Sequence, residues 1–458
     1  MKRDLDAVIK AYDVRGLVPE QLDGDLAERL GGAFARVTGA SAAEGGPGAV
    51  IVAHDMRPSG PELVERFCAG VTAQGVDVVN IGLASTDMAY FASGQLELPG
   101  AMFTASHNPA GYNGIKFCRA RAVPVGRDTG LGAMRDLVKH EIDAPEGVAP
   151  GRVRSIDLLG EYARFLHMLV PLTGIRPLKV VVDAGNGMGG YTVPKVLGGD
   201  SLEIVPLYFE LDGTFPNHEA NPLDPANLVD LQARVVAEDA DLGLAFDGDA
   251  DRCFVVDERG AAVSPSALTA LIAEREIARR PGATILHNLI TSRAVPELVR
   301  ELGGTPVRTE VGHSFIKAHM ARTGAVFGGE HSGHYYFGSF FNADSGMLAA
   351  MHVLAALGRS QAGTRLSELV ADYARYVPSG EINTRVADTD AATAAVHDAF
   401  ATRPGVEFDN LDGMSVEGGT WRFNLRPSNT EPLLRLNVEA ATSDEMTEIR
   451  DEVLALIR

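Results

Sequence analysis

Three stretches of the chain repeat one order of apolar and polar positions: an apolar run, a polar or glycine-bearing turn, a helical stretch ending at glycine, and a second apolar run. The first is AVIVAHD (49–55), PELVERFCAG (61–70) and VDVVNIG (76–82). The second is LKVVVDAGNGMGG (178–190), YTVPKVLGG (191–199) and LEIVPLYF (202–209). The third is ATILHNLITS (283–292), PELVRELGG (296–304) and TPVRTEVG (305–312). Unbroken Val, Ile and Leu runs suit strands buried on both faces, and each intervening helix supplies the crossover that parallel strands require. The pattern predicts three similar α/β modules. The repeated Pro-Glu-Leu-Val at Pro61 and Pro296 favours duplication, with unrelated βαβ units as the alternative.

The pattern breaks in the last ninety or so residues. INTRVAD (382–388) precedes an alanine-rich helical stretch, and WRFNLRPSNTEPLLRLNVEA (421–440) alternates apolar and polar residues around a turn. A final helix from about Ser443 opens on an N-cap-like Ser-Asp-Glu-Met and repeats apolar residues through Leu454 and Ile457. These elements predict a smaller α+β module. The divisions fall at 1–153, 154–255, 256–371 and 372–458.

Composition narrows the class. With 45% hydrophobic and 22% charged residues, the chain has the apolar content of a folded protein and not that of a disordered one. No run approaches the ~18–20 apolar residues that cross a bilayer, and the opening MKRDLDAVIKAYDVRG lacks the apolar core of a secretory signal. A cytoplasmic protein without a membrane partner is expected. Cys68, Cys118 and Cys253 are too few and too far apart for a disulfide framework or a zinc ribbon, and read as buried fillers. The 61 acidic against 41 basic side chains leave a net charge of -20. Such a charge repels nucleic acid, and an anionic substrate would need a local basic pocket.

Four short motifs carry candidate chemistry. Thr104-Ala105-Ser106-His107-Asn108-Pro109 follows the small apolar run PGAMF and precedes Gly111-Tyr112-Asn113-Gly114-Ile115-Lys116. Asn-Pro and Asn-Gly set turns, so Ser106 belongs on a rigid loop after a strand. The adjacent His107 is expected to point elsewhere, and a serine flanked by glycine turns, taken alone, is usually structural. Asp247-Gly248-Asp249-Ala250-Asp251-Arg252 leaves the apolar strand Leu242-Gly243-Leu244-Ala245-Phe246. A tight loop would bring the three carboxylates onto one ion, and oxygen-only ligation suits magnesium. Without a cation they repel one another. An EF-hand also begins Asp-x-Asp-x-Asp, and Glu258 falls at its twelfth position. Its sixth position, however, is Arg252 where glycine is required, and a strand precedes the loop where a helix is required. A phosphatase of the haloacid-dehalogenase type, with Asp247 as nucleophile, is the runner-up.

Gly328-Gly329-Glu330-His331-Ser332-Gly333-His334 offers donors and acceptors suited to vicinal sugar hydroxyls, and Gly312-His313-Ser314 adds an imidazole. Arg426-Pro427-Ser428-Asn429-Thr430-Glu431-Pro432 places a guanidinium, hydroxyls, an amide and backbone N–H groups on one turn, enough to surround a phosphate or to make a plain capped turn.

In this order, and with the opening Ala11-Tyr12-Asp13-Val14-Arg15-Gly16, the motifs resemble the α-D-phosphohexomutase superfamily over essentially the whole chain, most closely its phosphomannomutase branch. The resemblance implies four domains, three α/β and one α+β, around a central cleft. It also implies an isomerase that interconverts mannose 6-phosphate and mannose 1-phosphate, with glucose phosphates as further substrates. Ser106 would carry a phosphoryl group through a hexose 1,6-bisphosphate intermediate that also serves as activator. One Mg2+ would sit among Asp247, Asp249, Asp251 and a phosphoserine oxygen. Arg252 would help position that site, Glu330 and Ser332 would bind the sugar, and Arg426, Ser428, Asn429 and Thr430 would hold the phosphate that is not reacting. Arg15, Lys116, Arg252 and Arg426 all fall inside these motifs, where positive charge offsets the acidic balance.

One stretch departs from the resemblance. Many relatives carry a lysine in the turn that opens the third module, where this chain reads His287-Asn288-Leu289-Ile290-Thr291. The proton carrier is therefore expected at His334 or His313, assisted by Lys116 or Arg15, with His334 also near the sugar. A monomer or a dimer is expected.

Overall fold

The computed structural model describes residues 4–41, 45–427 and 433–458, and at His313 and Ser314 the backbone alone. The chain forms two compact units, one of Met1–Val263 with Ser332–Ser367, the other of Ser264–His331 with Glu368–Arg458.

The first unit holds two mixed sheets. In one, Ala49–His54 lies between Gly100–Phe103 and Asp77–Leu83, all parallel, and Val153–Ser155 extends the edge beyond Asp77–Leu83. Tyr112–Arg119 and then Val14–Leu17 add antiparallel on the other side. The helix Gly60–Ala73 is the crossover between Ala49–His54 and Asp77–Leu83, as the first apolar repeat predicts. Phe34, Phe67, Phe103 and Phe117 fill the core beneath it. In the second sheet Leu178–Asp183 pairs parallel with Leu202–Leu207 and Leu242–Phe246, and Cys253–Asp257 turns back antiparallel. The burial of every residue of Leu242–Phe246 matches its unbroken apolar run. Tyr335–Phe337 and Ala343–Asp344 form a short antiparallel pair that leads into the buried helix Gly346–Arg359. By contacts, this segment is grouped with the first unit.

In the second unit Thr284–Asn288 pairs parallel with Thr305–Thr309 and Phe327–Gly329. The strand stops at Asn288, short of the apolar run that continues to residue 292. The Asn288 side chain takes hydrogen bonds from the Thr291 N–H at 2.9 Å and the Thr291 hydroxyl at 2.7 Å, which closes a turn. The α+β part is an antiparallel sheet in the order Val377–Arg385, Leu433–Ala440, Trp421–Pro427, Met414–Gly418, Val406–Asp409. The helices Thr389–Ala401 and Ser443–Ile457 bury Val396, Phe400, Ile449 and Val453 against it. The last helix is capped one residue earlier than its sequence suggests. Thr442 is extended and its hydroxyl accepts from the Glu445 N–H, so Ser443 is already helical.

Candidate active site

Ser106 follows the strand Gly100–Phe103 on a loop closed by its own groups. The Ser106 N–H donates to the Thr104 hydroxyl at 2.8 Å, and the Asn108 N–H donates to the Ala105 carbonyl at 3.0 Å. Ser106 sits at φ +50°, a left-handed conformation that a serine holds only when its surroundings impose it. The imposing group is Arg57, just past the end of Ala49–His54. Its guanidinium donates to the carbonyls of Ser106, Asn108, Pro109 and Tyr112 at 2.6–2.9 Å. Asp55 pairs with the Arg57 Nε at 3.3 Å, both side chains being wholly buried. Burial pushes the Asp55 carboxyl up and the Arg57 guanidinium down, and their mutual attraction opposes both shifts. Sequence reasoning missed this pair. Its one signal is an Asp-x-Arg at the carboxyl end of a buried parallel strand, where α/β sheets place their sites.

The acidic loop joins Leu242–Phe246 to Cys253–Asp257, two antiparallel strands, which excludes an EF-hand. Glu258 instead accepts from the Ser367 N–H and hydroxyl. Ala250 at φ +59° tightens the turn, and Asp247, Asp249 and Asp251 each bring a carboxylate oxygen within 4.8 Å of the others in full burial. The Lys116 ammonium bridges Asp249 at 2.7 Å and Asp251 at 2.6 Å. Asp249 Oδ1 and Asp251 Oδ1 are buried and take no hydrogen bond, so the cluster still has acceptors for a hard cation. The donor set is all oxygen, which fits magnesium.

The two loops meet at Gly248. A Cβ there would lie 2.4 Å from the Ser106 carbonyl oxygen, so only glycine allows this approach. The Ser106 hydroxyl donates to Asp247 Oδ2 at 2.8 Å. Burial and the charges of Asp251 and Asp249 push the Asp247 carboxyl up to about 7. Burial would raise Asp249 too, but the Lys116 ammonium and the Thr86 hydroxyl hold it well below the usual range. Arg252 pairs with Asp247 Oδ2 at 3.2 Å and points its Nη2 to within 3.5 Å of the Ser106 hydroxyl.

His107 does not point away. Its Nδ1 is 3.2 Å from the Ser106 hydroxyl and against the Arg252 guanidinium. The expectation assumed that neighbouring side chains alternate, and the left-handed turn at Ser106 removes that alternation. Burial and the charges of Arg252 and Arg15 push the ring down to about 2, so His107 is neutral and cannot bring a proton at neutral pH.

Arg15 reaches the serine loop by donating to the Asn108 side chain at 2.6 Å and pairs with Asp13 at 2.6 Å. His334 lies 3.1 Å from Asp344 and 3.7 Å from Asp251. Burial would lower its pKa, but Asp251 and the hydrogen bond with Asp344 outweigh it and raise it, so this ring holds a proton more firmly than a free imidazole. The first unit thus gathers Ser106, the three aspartates, Arg252, Lys116 and His334. Ser332 is half-buried in the same unit.

The remaining candidates belong to the second unit. Glu330 is buried, and its Oε1 accepts from the Gly312 N–H at 3.1 Å and the Asn288 amide at 3.3 Å. His313 begins the helix His313–Thr323. Arg426 lies 3.3 Å from Glu381 and is cross-strand to Arg435. Ser428, Asn429 and Thr430 lie outside the described residues. His287 is buried and pushed down to about 3 by burial and the charge of Arg422, so it does not replace the absent lysine as a cation.

Comparison with known proteins covers the whole of this arrangement. Models of phosphoglucomutase/phosphomannomutase alpha/beta/alpha domains I, II and III match residues 6–141, 161–260 and 264–376, and that of the C-terminal domain matches 381–456. A Xanthomonas campestris pv. campestris protein named phosphohexose mutases is 42% identical over 98% of both chains. A phosphomannomutase of Salmonella montevideo is 38% identical over 98% of both. A solved phosphoglucomutase/phosphomannomutase family protein from Burkholderia thailandensis superposes with a TM-score of 0.87 at 34% identity, covering 98% of this chain and 96% of its own. With all four family domains matched in order, the chain belongs to the phosphoglucomutase/phosphomannomutase family of phosphohexose mutases.

Proposed function

We propose that this phosphohexose mutase interconverts mannose 6-phosphate and mannose 1-phosphate, accepts glucose phosphates as well, and works through a phosphorylated Ser106. The observation that carries the reading is the Ser106 hydroxyl bonded to Asp247 inside the buried aspartate cluster. The phosphatase alternative needs Asp247 as nucleophile, whereas Asp247 here accepts from Ser106 and Arg252.

In the forward half-reaction the P–Oγ bond of phosphoserine breaks as a sugar hydroxyl oxygen bonds to phosphorus. The hydroxyl proton leaves to a base, and the electron pair stays on Oγ, which takes a proton. The resulting hexose 1,6-bisphosphate turns over and returns its other phosphoryl group to Ser106, so no water is consumed. Magnesium bound by Asp247, Asp249 and Asp251 would neutralise charge on the transferring group. Arg252 steadies Oγ, Lys116 supplies positive charge beside the acidic loop, and Arg15 does so beside the serine loop. His334, held by Asp344 and 3.7 Å from Asp251, is the proton carrier, with His313 as a second candidate. Glu330 and Ser332 hold the sugar hydroxyls. Arg426, Ser428, Asn429 and Thr430 hold the other phosphate, which lets the intermediate bind in either orientation. Cys68, Cys118 and Cys253 are all buried.

A coupled assay of mannose 1-phosphate, glucose 1-phosphate and glucosamine 1-phosphate at equal concentration, with a trace of bisphosphate, tests the substrate reading. Mannose and glucose phosphates should turn over comparably. Turnover confined to the glucosamine phosphate would overturn it.

A further inference from the structure

Asp249 is held from behind by a residue outside every motif. Thr86, the first residue of the helix Thr86–Leu96, donates its hydroxyl to Asp249 Oδ2 at 2.5 Å and its N–H to the Asp249 carbonyl at 2.9 Å. Lys116 shares the same Oδ2, while Oδ1 is buried and takes no hydrogen bond. The terminal torsion of an aspartate is soft, so which oxygen faces the cluster is decided by what the other oxygen is tied to.

The next residue extends the support. Asp87 is buried and accepts three hydroxyls, from Ser85 at 2.5 Å, Ser345 at 2.6 Å and Tyr162 at 2.7 Å. Ser345 caps the helix Gly346–Arg359, accepting from the Leu348 N–H at 3.0 Å. At Gly346 that helix rests on the acidic loop, where a Cβ would lie 2.5 Å from the Arg252 carbonyl and 3.0 Å from that of Ala250. The loop is held by Thr86 at Asp249 and by Gly346 at Ala250 and Arg252, and Asp87 joins the two helix starts.

We infer that Thr86 is a positioning residue for the metal site, turning Asp249 Oδ1 toward the cation, and that the Asp87–Ser345 hydrogen bond locks the two helix starts around the loop. The inference rests on the reading of Asp247, Asp249 and Asp251 as metal ligands. Outer partners of metal ligands are worth about 10–100-fold in affinity.

The test titrates Mn2+ into the full chain, dephosphorylated and stripped with chelator, and follows free Mn2+ by electron paramagnetic resonance. Thr86→Val should weaken Mn2+ binding about tenfold or more, and Thr86→Ser should restore it. The half-saturating Mg2+ for turnover should rise by the same factor, with the KM for sugar phosphate at saturating metal unchanged. Ser345→Ala, which removes one of the three hydroxyls on Asp87, should weaken binding less. Wild-type affinity in a Thr86→Val protein of unchanged circular dichroism and melting would overturn the role of Thr86. Wild-type affinity in Ser345→Ala would overturn the lock. An Asp249→Asn protein that binds Mn2+ like the wild type would instead remove the metal reading on which both depend.

Discussion

The Arg57 guanidinium donates to the main-chain carbonyl of Ser106 at 2.9 Å and, from the same planar fork, to three more carbonyls of the serine loop. This buried cation has spent its Nη donors on backbone and lies in ion-pair range of Asp55, so its work is to hold a left-handed serine in place. A lysine has the charge but not the fork.

Arg57→Met should therefore lose stability and activity together. It removes the guanidinium's hydrogen bonds to four carbonyls and leaves the Asp55 carboxylate buried without its counter-charge, a change of about 3–5 kcal/mol. Calorimetric melting should show a lowered transition, and Arg57→Lys should fall between the mutant and the wild type. Unchanged melting and turnover in Arg57→Met would contradict the role given to it.

Gly248→Ala tests the contact between the two loops. The new methyl group would meet the Ser106 carbonyl oxygen at 2.4 Å, so one loop must retreat. A displacement of about 1 Å at the reacting groups costs on the order of a hundredfold in rate, and kcat/KM should fall by about that factor. Full activity would show that the loops separate during catalysis without loss.

His287 sets part of the acid limit. Burial, aided by Arg422, holds its pKa at about 3 in the folded chain, against 6.5 when free. With the folded value depressed, the unfolded chain takes up the proton first as pH falls. The neutral ring's contribution is complete above about 6.5 and is lost progressively toward 3. His287→Gln should flatten the decline in melting temperature between pH 6.5 and 4. An unaltered slope would count against it.

The parallel strands and their crossovers were legible because strands buried on both faces must be largely apolar, as at Leu242–Phe246 and at 180–182. The chemistry was legible where it is local: three aspartates in five residues, or a serine among turn formers. Arg57 and Thr86 were not, because each acts on a loop far away in sequence, and Arg57 reads in isolation as a solvated charge. The direction of His107 was misjudged because one positive φ at Ser106 overturns the alternation that neighbours normally keep. The partners of the helix Gly346–Arg359 could not be read from a linear pattern, since it is apolar almost all round whatever buries it. The start of the last helix turned on which of two adjacent hydroxyl residues, Thr442 or Ser443, becomes the cap.

The most direct test of the whole account is the mass of the protein after incubation with glucose 1,6-bisphosphate and Mg2+, followed by peptide mapping. The account predicts one added phosphate, about 80 Da, on the peptide that contains Ser106 and none in a folded Ser106→Ala protein that no longer turns over substrate. Phosphate mapped to Asp247, or full turnover by Ser106→Ala, would contradict it.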